Sequence, residues 1–334
     1  MSTVVQEPQA FFQACQKRLG GTARLGISAV LFDPGGEKRA DISFNEDARF
    51  PMASVVKVPI AMLIASEIAN GALSLHETIT IHPRAFSPGL ITNPIDRFYF
   101  LPFATVRTYT VEQLMAFMIH ASDNTATDAI LNRLGGTCAV MKFLFASDIE
   151  GISVKRTMHE LLTYYYDLQP SHGIGGMLAN VRRMTPAFRC RSDREEHLID
   201  SGEETCTPRA IVQLLKLLAM NPRYALVYSN MEHCANRQRI AVGLKEHGAC
   251  VKSLGHKTGS VGAIANDVGI IHFNNGCFAA LAVMTCHSTV RISVRDEQIA
   301  TVTRTIVSQW QRNGYSIHAM ALQSRRKSFS RGSF

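Results

Sequence analysis

The 334-residue chain has one tryptophan, and its eight cysteines form no C-x-x-C pair and no His/Cys cluster at metal-ligand spacing. A zinc module and a disulfide framework are thereby excluded, and Cys15, Cys138, Cys190, Cys206, Cys234, Cys250, Cys277 and Cys286 read as free thiols. No metal and no cofactor is expected. Long apolar runs are missing too: the stretch Val58 to Ile68 is broken by Pro59 and Ser66 and is too short to span a bilayer. Residues 1–20 lack a basic segment followed by an unbroken apolar one, so no export signal is visible, no membrane partner is expected, and a reduced, cytoplasmic setting is read. A basic stripe of the kind that grips nucleic acid is absent from the body of the chain. Half of the net charge of +8 comes from Arg325, Arg326, Lys327 and Arg331 in the last ten residues. What is present is 46% apolar and 19% charged residues with no internal repeat, enough to bury one sizeable composite core.

Residues 8–19 pattern as an amphipathic helix, Leu25 to Asp33 alternates as a strand, and PGGEK turns it into ADISF. Helical patterns follow over Ser54 to Leu73, Thr110 to His120 with Thr110 as cap, and Asn124 to Leu134, which ends at Gly135-Gly136. Thr207-Pro208 opens a further helix. DVGIIHF and CFAALAVMT, joined by Asn274-Asn275-Gly276, form a hairpin before a last helix from about Arg295 to Gln311. Strands at both ends with helices between them predict an α+β fold: one antiparallel sheet flanked by helices, an all-helical lobe, and a site at the lobe interface. Phe86 to Val106 and Leu161 to Glu204 fit no regular element and read as loops or insertions.

Three short motifs could carry chemistry. Ser54-Val55-Val56-Lys57 puts an amine on the same helical face as a hydroxyl, within reach of its proton, although Ser324 to Lys327 repeats the pattern in the basic tail by composition alone. Ser122-Asp123-Asn124 falls between two helices, where it is either a proton relay with an amide ligand or simply a helix cap. Lys257-Thr258-Gly259-Ser260 precedes a strand and offers a fixed charge, hydroxyls and a glycine that admits close approach, or else an ordinary turn. His256 interrupts any phosphate-binding loop, which excludes that nucleotide reading.

In this order, S-x-x-K, S-D-N and K-T-G resemble the class A β-lactamase and penicillin-binding-protein group of active-site serine hydrolases. The likeness extends through RLGISAVLFD, FPMASVVKVPIAML, TVEQLMAFMIHASDNTATDAILNRLGG, TCTPRAIVQLLKLL, RIAVGLKEHGACVKSLGHKTG and NDVGII, most of residues 10–313. It implies a β-lactamase/transpeptidase-like fold. Ser54 would attack an amide, ester or β-lactam carbonyl of a small molecule, Lys57 would take its proton, Ser122 would relay to the departing nitrogen, and Asn124 would bind substrate. Lys257 would set the field, Thr258, Gly259 and Ser260 would bind substrate, and the N–H groups of Ser54 and Ser260 would form an oxyanion hole. Two lysines around one serine also depress each other's pKa, which favours a neutral Lys57.

The resemblance places an N-terminal helix region at 1–20, a catalytic domain at 21–314 and a basic tail at 315–334. Within the domain, an α/β lobe takes 21–50 and 235–314 and a helical lobe takes 51–234, with an insertion at 161–204. Departures are equally legible. The E-x-x-L-N pattern of the deacylating glutamate is missing; Glu160 stands at about the right distance and Glu195, followed by Leu198, is a second candidate. No arginine lies in the Gly262 to Ile271 strand to meet a substrate carboxylate. The insertion could bring Tyr164, Tyr165, Tyr166 or His172 to the pocket. A D-alanyl peptidase or a biosynthetic amidase, esterase or acyltransferase without the glutamate, and a non-catalytic penicillin-binding-like sensor or scaffold, are the alternatives.

Overall fold

The computed structural model describes residues 8–101, 104–169, 179–180, 182–184 and 191–315. His172, Cys190 and the tail from 316 onward therefore lie outside the described residues. Helix α1 (Pro8–Arg18) leads into strands β1 (Arg24–Phe32), β2 (Lys38–Phe44) and the short β3 (Phe50–Pro51). A 3-10 turn, Ala53–Val56, runs directly into α2 (Lys57–Ala69). The middle of the chain holds β4 (Thr78–Ile81), β5 (Arg107–Thr110), α3 (Val111–His120), α4 (Asn124–Arg133), α5 (Thr137–Ala146), α6 (Met158–Tyr166) and α7 (Ser192–Ser201). After β6 (Thr205–Cys206) come α8 (Pro208–Met220), α9 (Ala225–Glu232), α10 (Ile240–Gly243), β7 (Val251–Val261), β8 (Ile264–Phe273), β9 (Phe278–Cys286) and α11 (Ile292–Arg312).

The main sheet has the order β2-β1-β9-β8-β7, every neighbouring pair antiparallel. Strand β9 shows why it holds together. Alternate residues point to opposite faces, so Ala279, Leu281 and Val283 join a core with Phe12 of α1, Leu19 just after it, and Ile299, Ile306 and Trp310 of α11. Ala280, Ala282 and Met284 join the larger core beneath the helical lobe, with Ile60, Met118, Ile130 and Leu214. Both faces of the sheet are thus covered, as the sequence pattern predicts. The β8–β9 turn needs Gly276, whose φ of +87° lies in the left-handed region.

Two expectations are corrected. The segment from Leu161 is not irregular at its start: α6 continues through Tyr166, and its buried Met158, Leu161, Leu162, Tyr165 and Tyr166 follow helical spacing. Helix α7 is also regular. The predicted helix at Ser54 begins instead with the 3-10 turn, so α2 proper starts at Lys57. Among the described residues, no single helix is long and apolar enough to cross a membrane.

Candidate active site

Ser54 is set by an unusual backbone. Ala53, just before it, has φ +46°, a conformation that costs a non-glycine residue energy and persists only where its surroundings impose it. In the 3-10 turn that follows, side chains three residues apart eclipse, so Ser54 and Lys57 project on one side. The Lys57 N–H closes the turn onto the Ser54 and Val55 carbonyls. Strand β7, at the edge of the sheet, passes against this turn: a Cβ on Gly259 would lie 2.6 Å from Met52 O and 3.2 Å from Ser54 N. Only glycine fits there, and it brings the Lys257 to Ser260 edge alongside Ser54.

Lys57 and Lys257 are fully buried and meet at one hydroxyl. Lys57 Nζ donates to Ser122 O at 2.6 Å, Asn124 Oδ1 at 2.7 Å and Ser122 Oγ at 3.2 Å. Lys257 Nζ donates to the same Ser122 Oγ at 3.1 Å and to Thr258 O at 2.8 Å. Burial first, then the neighbouring Lys257 charge, pull the Lys57 pKa down to about 7 against the opposing effect of Asp96, Asp123 and Asp128. Burial lowers that of Lys257 as well. Ser122, like Ala53, holds a left-handed φ of +61°. The two readings of Ser122-Asp123-Asn124 divide by residue: Asp123 caps α4 through Ala126 N, while Ser122 and Asn124 turn to the lysine.

The sequence gives no warning of two further groups. Asp96, fully buried, accepts from Asn124 N at 2.9 Å, Thr125 N at 2.8 Å and Asn93 Nδ2 at 2.8 Å, and Asp123 Oδ2 in return accepts from Ile95 N and Asp96 N. This reciprocal pair fixes the Asn124 amide against Lys57, and no local pattern announces it. Burial, then Asp123, hold the Asp96 pKa well above the usual carboxylate range. The second group is Arg239, just before α10. Its buried guanidinium donates to Ser260 Oγ at 2.6 Å, Asn266 O at 2.6 Å and Gly259 O at 3.1 Å, and pairs with Asp296 at 2.6 Å. The cation missing from the Gly262 to Ile271 strand is thus supplied behind Ser260 from another element, 21 residues before it in sequence.

The acids expected near the site are occupied elsewhere. Glu160 is exposed, and its carboxylate accepts from Thr157 N at 2.8 Å in a capping box at the start of α6, which corrects its assignment as a catalytic residue. The T-x-x-E spacing was the signal for that cap. Glu195 is buried, but Tyr165 Oη at 2.6 Å, Ala263 N at 3.2 Å and His287 N at 2.7 Å all donate to it, so it clamps three elements. Tyr164 carries Arg156 and Arg194 over its ring, and Tyr165 and Tyr166 are core residues. Glu204 accepts from Lys155 N and Arg156 N, both at 2.6 Å, and burial lifts its pKa to about 7. A carboxyl raised in the fold favours the folded state while protonated. Its stabilisation is full below about pH 4.3 and is lost as pH rises through 7, on the order of 3–4 kcal/mol. Denaturant unfolding of Glu204→Gln between pH 4.5 and 7.5 should therefore show a stability less dependent on pH than that of the unsubstituted chain. Residues 102–103, 170–178, 181 and 185–190 contain neither Asp nor Glu.

Seven cysteines among the described residues are free, and among these residues no group of three His, Cys, Asp or Glu side chains could hold a metal ion.

The chain matches the model of the beta-lactamase enzyme family over residues 12–310. It is 26% identical over 295 residues to beta-lactamase VEB-1 of Pseudomonas aeruginosa, covering 84% of each chain. It is 24% identical over 269 residues to the beta-lactamase regulatory protein BlaB of Streptomyces cacaoi, covering 73% of this chain and 80% of that one. Among solved structures, an ancestral class A beta-lactamase of Gram-negative bacteria superposes with a TM-score of 0.68 at 24% identity, over 91% of this chain and 100% of the other. PBP-A superposes with a TM-score of 0.66 at 19% identity, over 90% and 95%. These likenesses show the fold, a mixed helical and antiparallel-sheet architecture of the β-lactamase and transpeptidase type. With its matched residues spanning nearly the whole chain, this protein belongs to the beta-lactamase enzyme family.

Proposed function

We infer that the protein opens an amide, ester or β-lactam bond of a small, carboxylate-bearing molecule by forming an acyl-enzyme on Ser54. The observation that carries this reading is the meeting of Lys57 and Lys257 on the Ser122 hydroxyl, beside a serine held in a strained turn. A neutral Lys57 has two N–H groups, and its two shortest contacts, to Ser122 O and Asn124 Oδ1, use both. Its lone pair is then turned from those two oxygens, and it takes up the Ser54 proton, as that hydroxyl attacks, in place of the 3.2 Å contact with Ser122 Oγ. Ser122 passes a proton to the departing nitrogen, and Lys257 holds the relay polarised. The N–H groups of Ser54 and Ser260 take the developing oxyanion. Asn124 binds the substrate amide, Gly259 admits it to the strand edge, and Thr258 and Ser260, backed by Arg239, take the carboxylate.

A fluorescent penicillin should label the chain covalently at one equivalent, and Ser54→Ala should abolish labelling while leaving the circular dichroism spectrum and melting temperature near those of the unsubstituted chain. A fully labelled Ser54→Ala contradicts the assignment. A second reading, a penicillin-binding sensor that stays acylated, is favoured by the engagement of Glu160, Glu195 and Glu204 in caps and clamps.

A further inference from the structure

His256 stands next to Lys257 on β7, yet nothing in the chemistry above uses it. Strand alternation turns its side chain to the face opposite Lys257, where it is fully buried. Across the ladder is Gly269, where a Cβ would lie 2.7 Å from that of His256, so the glycine leaves the ring room to reach diagonally to Asp267. Nδ1 stands 2.9 Å and 3.1 Å from the two carboxylate oxygens of Asp267, itself fully buried. A carboxylate only accepts, so Nδ1 carries the proton and donates it. Among the described residues no group pairs with the ring's Nε2. Asp267 also reaches α10: its Oδ2 accepts from Ile240 N at 3.0 Å, the first N–H of that helix, and so caps it from the sheet. The residue before Ile240 is Arg239, whose guanidinium stands behind Ser260. One peptide thus links the buried pair to the cation.

We propose that His256 is a positioning residue for substrate selection: through Asp267 and the Ile240 N–H it fixes the backbone from which Arg239 reaches Ser260, and so sets the preference of the site for a molecule bearing a carboxylate. This role rests on the Ser54 reading and names what holds its selectivity in place. Stability does not account for the pair, because buried charged groups can often be replaced by apolar residues of like volume without loss. Position does. Helix α10 has only four residues, too few to hold its own start, and no side chain at that start caps it. Arg239 Nη1 divides between Asn266 O at 2.6 Å and Gly259 O at 3.1 Å, while Nη2 donates to Ser260 Oγ at 2.6 Å. Contacts of this kind tolerate a displacement of about 0.5 Å before the site loosens.

The test compares acylation of the full chain by benzylpenicillin and by its methyl ester, which lacks the charge. The ratio of acid to ester acylation rate should fall about tenfold or more in Arg239→Gln and about fivefold in His256→Leu. His256→Asn keeps an N–H where Nδ1 stands and should hold the ratio within about twofold of the unsubstituted chain. Added to Arg239→Gln, His256→Leu should change the ratio by less than about twofold, since both act through one guanidinium. A ratio unchanged in His256→Leu, an equal fall in His256→Asn, or a full further fall in the double variant overturns the proposal. Should circular dichroism show His256→Leu unfolded, Asp267→Asn replaces it in every comparison, because an amide cannot accept from both His256 and Ile240; an unchanged ratio there is equally fatal. If neither penicillin acylates the unsubstituted chain, the Ser54 reading is what fails. His256 is then judged by the Arg239 Nε–H nuclear magnetic resonance signal, identified by its loss in Arg239→Gln. A shift in His256→Leu but not in His256→Asn supports the positioning role, and no shift, or the same shift in both, refutes it.

Discussion

Lys57→Ala should slow acylation of Ser54 by roughly three to four orders of magnitude, the loss expected when a positioned general base is removed from a serine nucleophile. The basicity of the amine follows from its surroundings. The amine is fully buried, so its charge is disfavoured; Lys257 adds repulsion; and its pKa of about 7 makes it substantially neutral at physiological pH. The direction with pH follows. Protonated Lys57 cannot accept, so acylation should rise about tenfold per unit below pH 7 and level off above it. The profile is measured from the second-order rate of β-lactam labelling between pH 5 and 9, and a flat profile in the unsubstituted chain would remove Lys57 from the proton transfer. Lys57→Arg should not restore the rate, because a guanidinium stays protonated throughout that range.

A stoichiometric burst is the second large effect. Mixed with nitrocefin, the protein should release about one equivalent of product and then turn over slowly, at least a hundredfold below the acylation rate. Deacylation needs a base that activates water, and removal of such a group is worth roughly two to four orders of magnitude. Glu160 caps α6, Glu195 clamps the turn at Ala263, and Glu204 holds the Lys155–Arg156 backbone. Asp96, Asp123 and Asp128 each accept backbone N–H groups. Fast, steady turnover would mean that one of these carboxylates also serves water. Glu204→Gln and Glu195→Gln would then identify it by which of them slows release without slowing labelling.

The sheet, the terminal helices and the three motifs were legible because each is local: the pattern of Leu25 to Asp33, the apolar run of CFAALAVMT, Asn274-Asn275-Gly276 at the hairpin, and caps at Thr110 and Thr207. Ser122 and Lys257 are 135 residues apart, and only the ordered motifs betrayed their meeting. What stayed hidden depends on distant partners. Strands β4 and β5 pair across a long excursion, Asp96 reaches α4 from a loop without regular pattern, and Arg239 approaches Ser260 through a fold-level crossing. The misassigned Glu160 differs in kind. Its capping spacing with Thr157 is local and legible, as is the helical spacing of Leu161, Leu162, Tyr165 and Tyr166, whereas distance from Ser122 along the chain does not tell where its carboxylate points.

A crystal structure of the chain trapped with a penicillin tests the convergence of Ser54, Lys57, Ser122 and Lys257 most directly. The account predicts an ester on Ser54 Oγ, its carbonyl oxygen between the N–H groups of Ser54 and Ser260, and the departed nitrogen within hydrogen-bond reach of Ser122 Oγ. An adduct on any other side chain, or an ester whose carbonyl points away from Ser260, would contradict it.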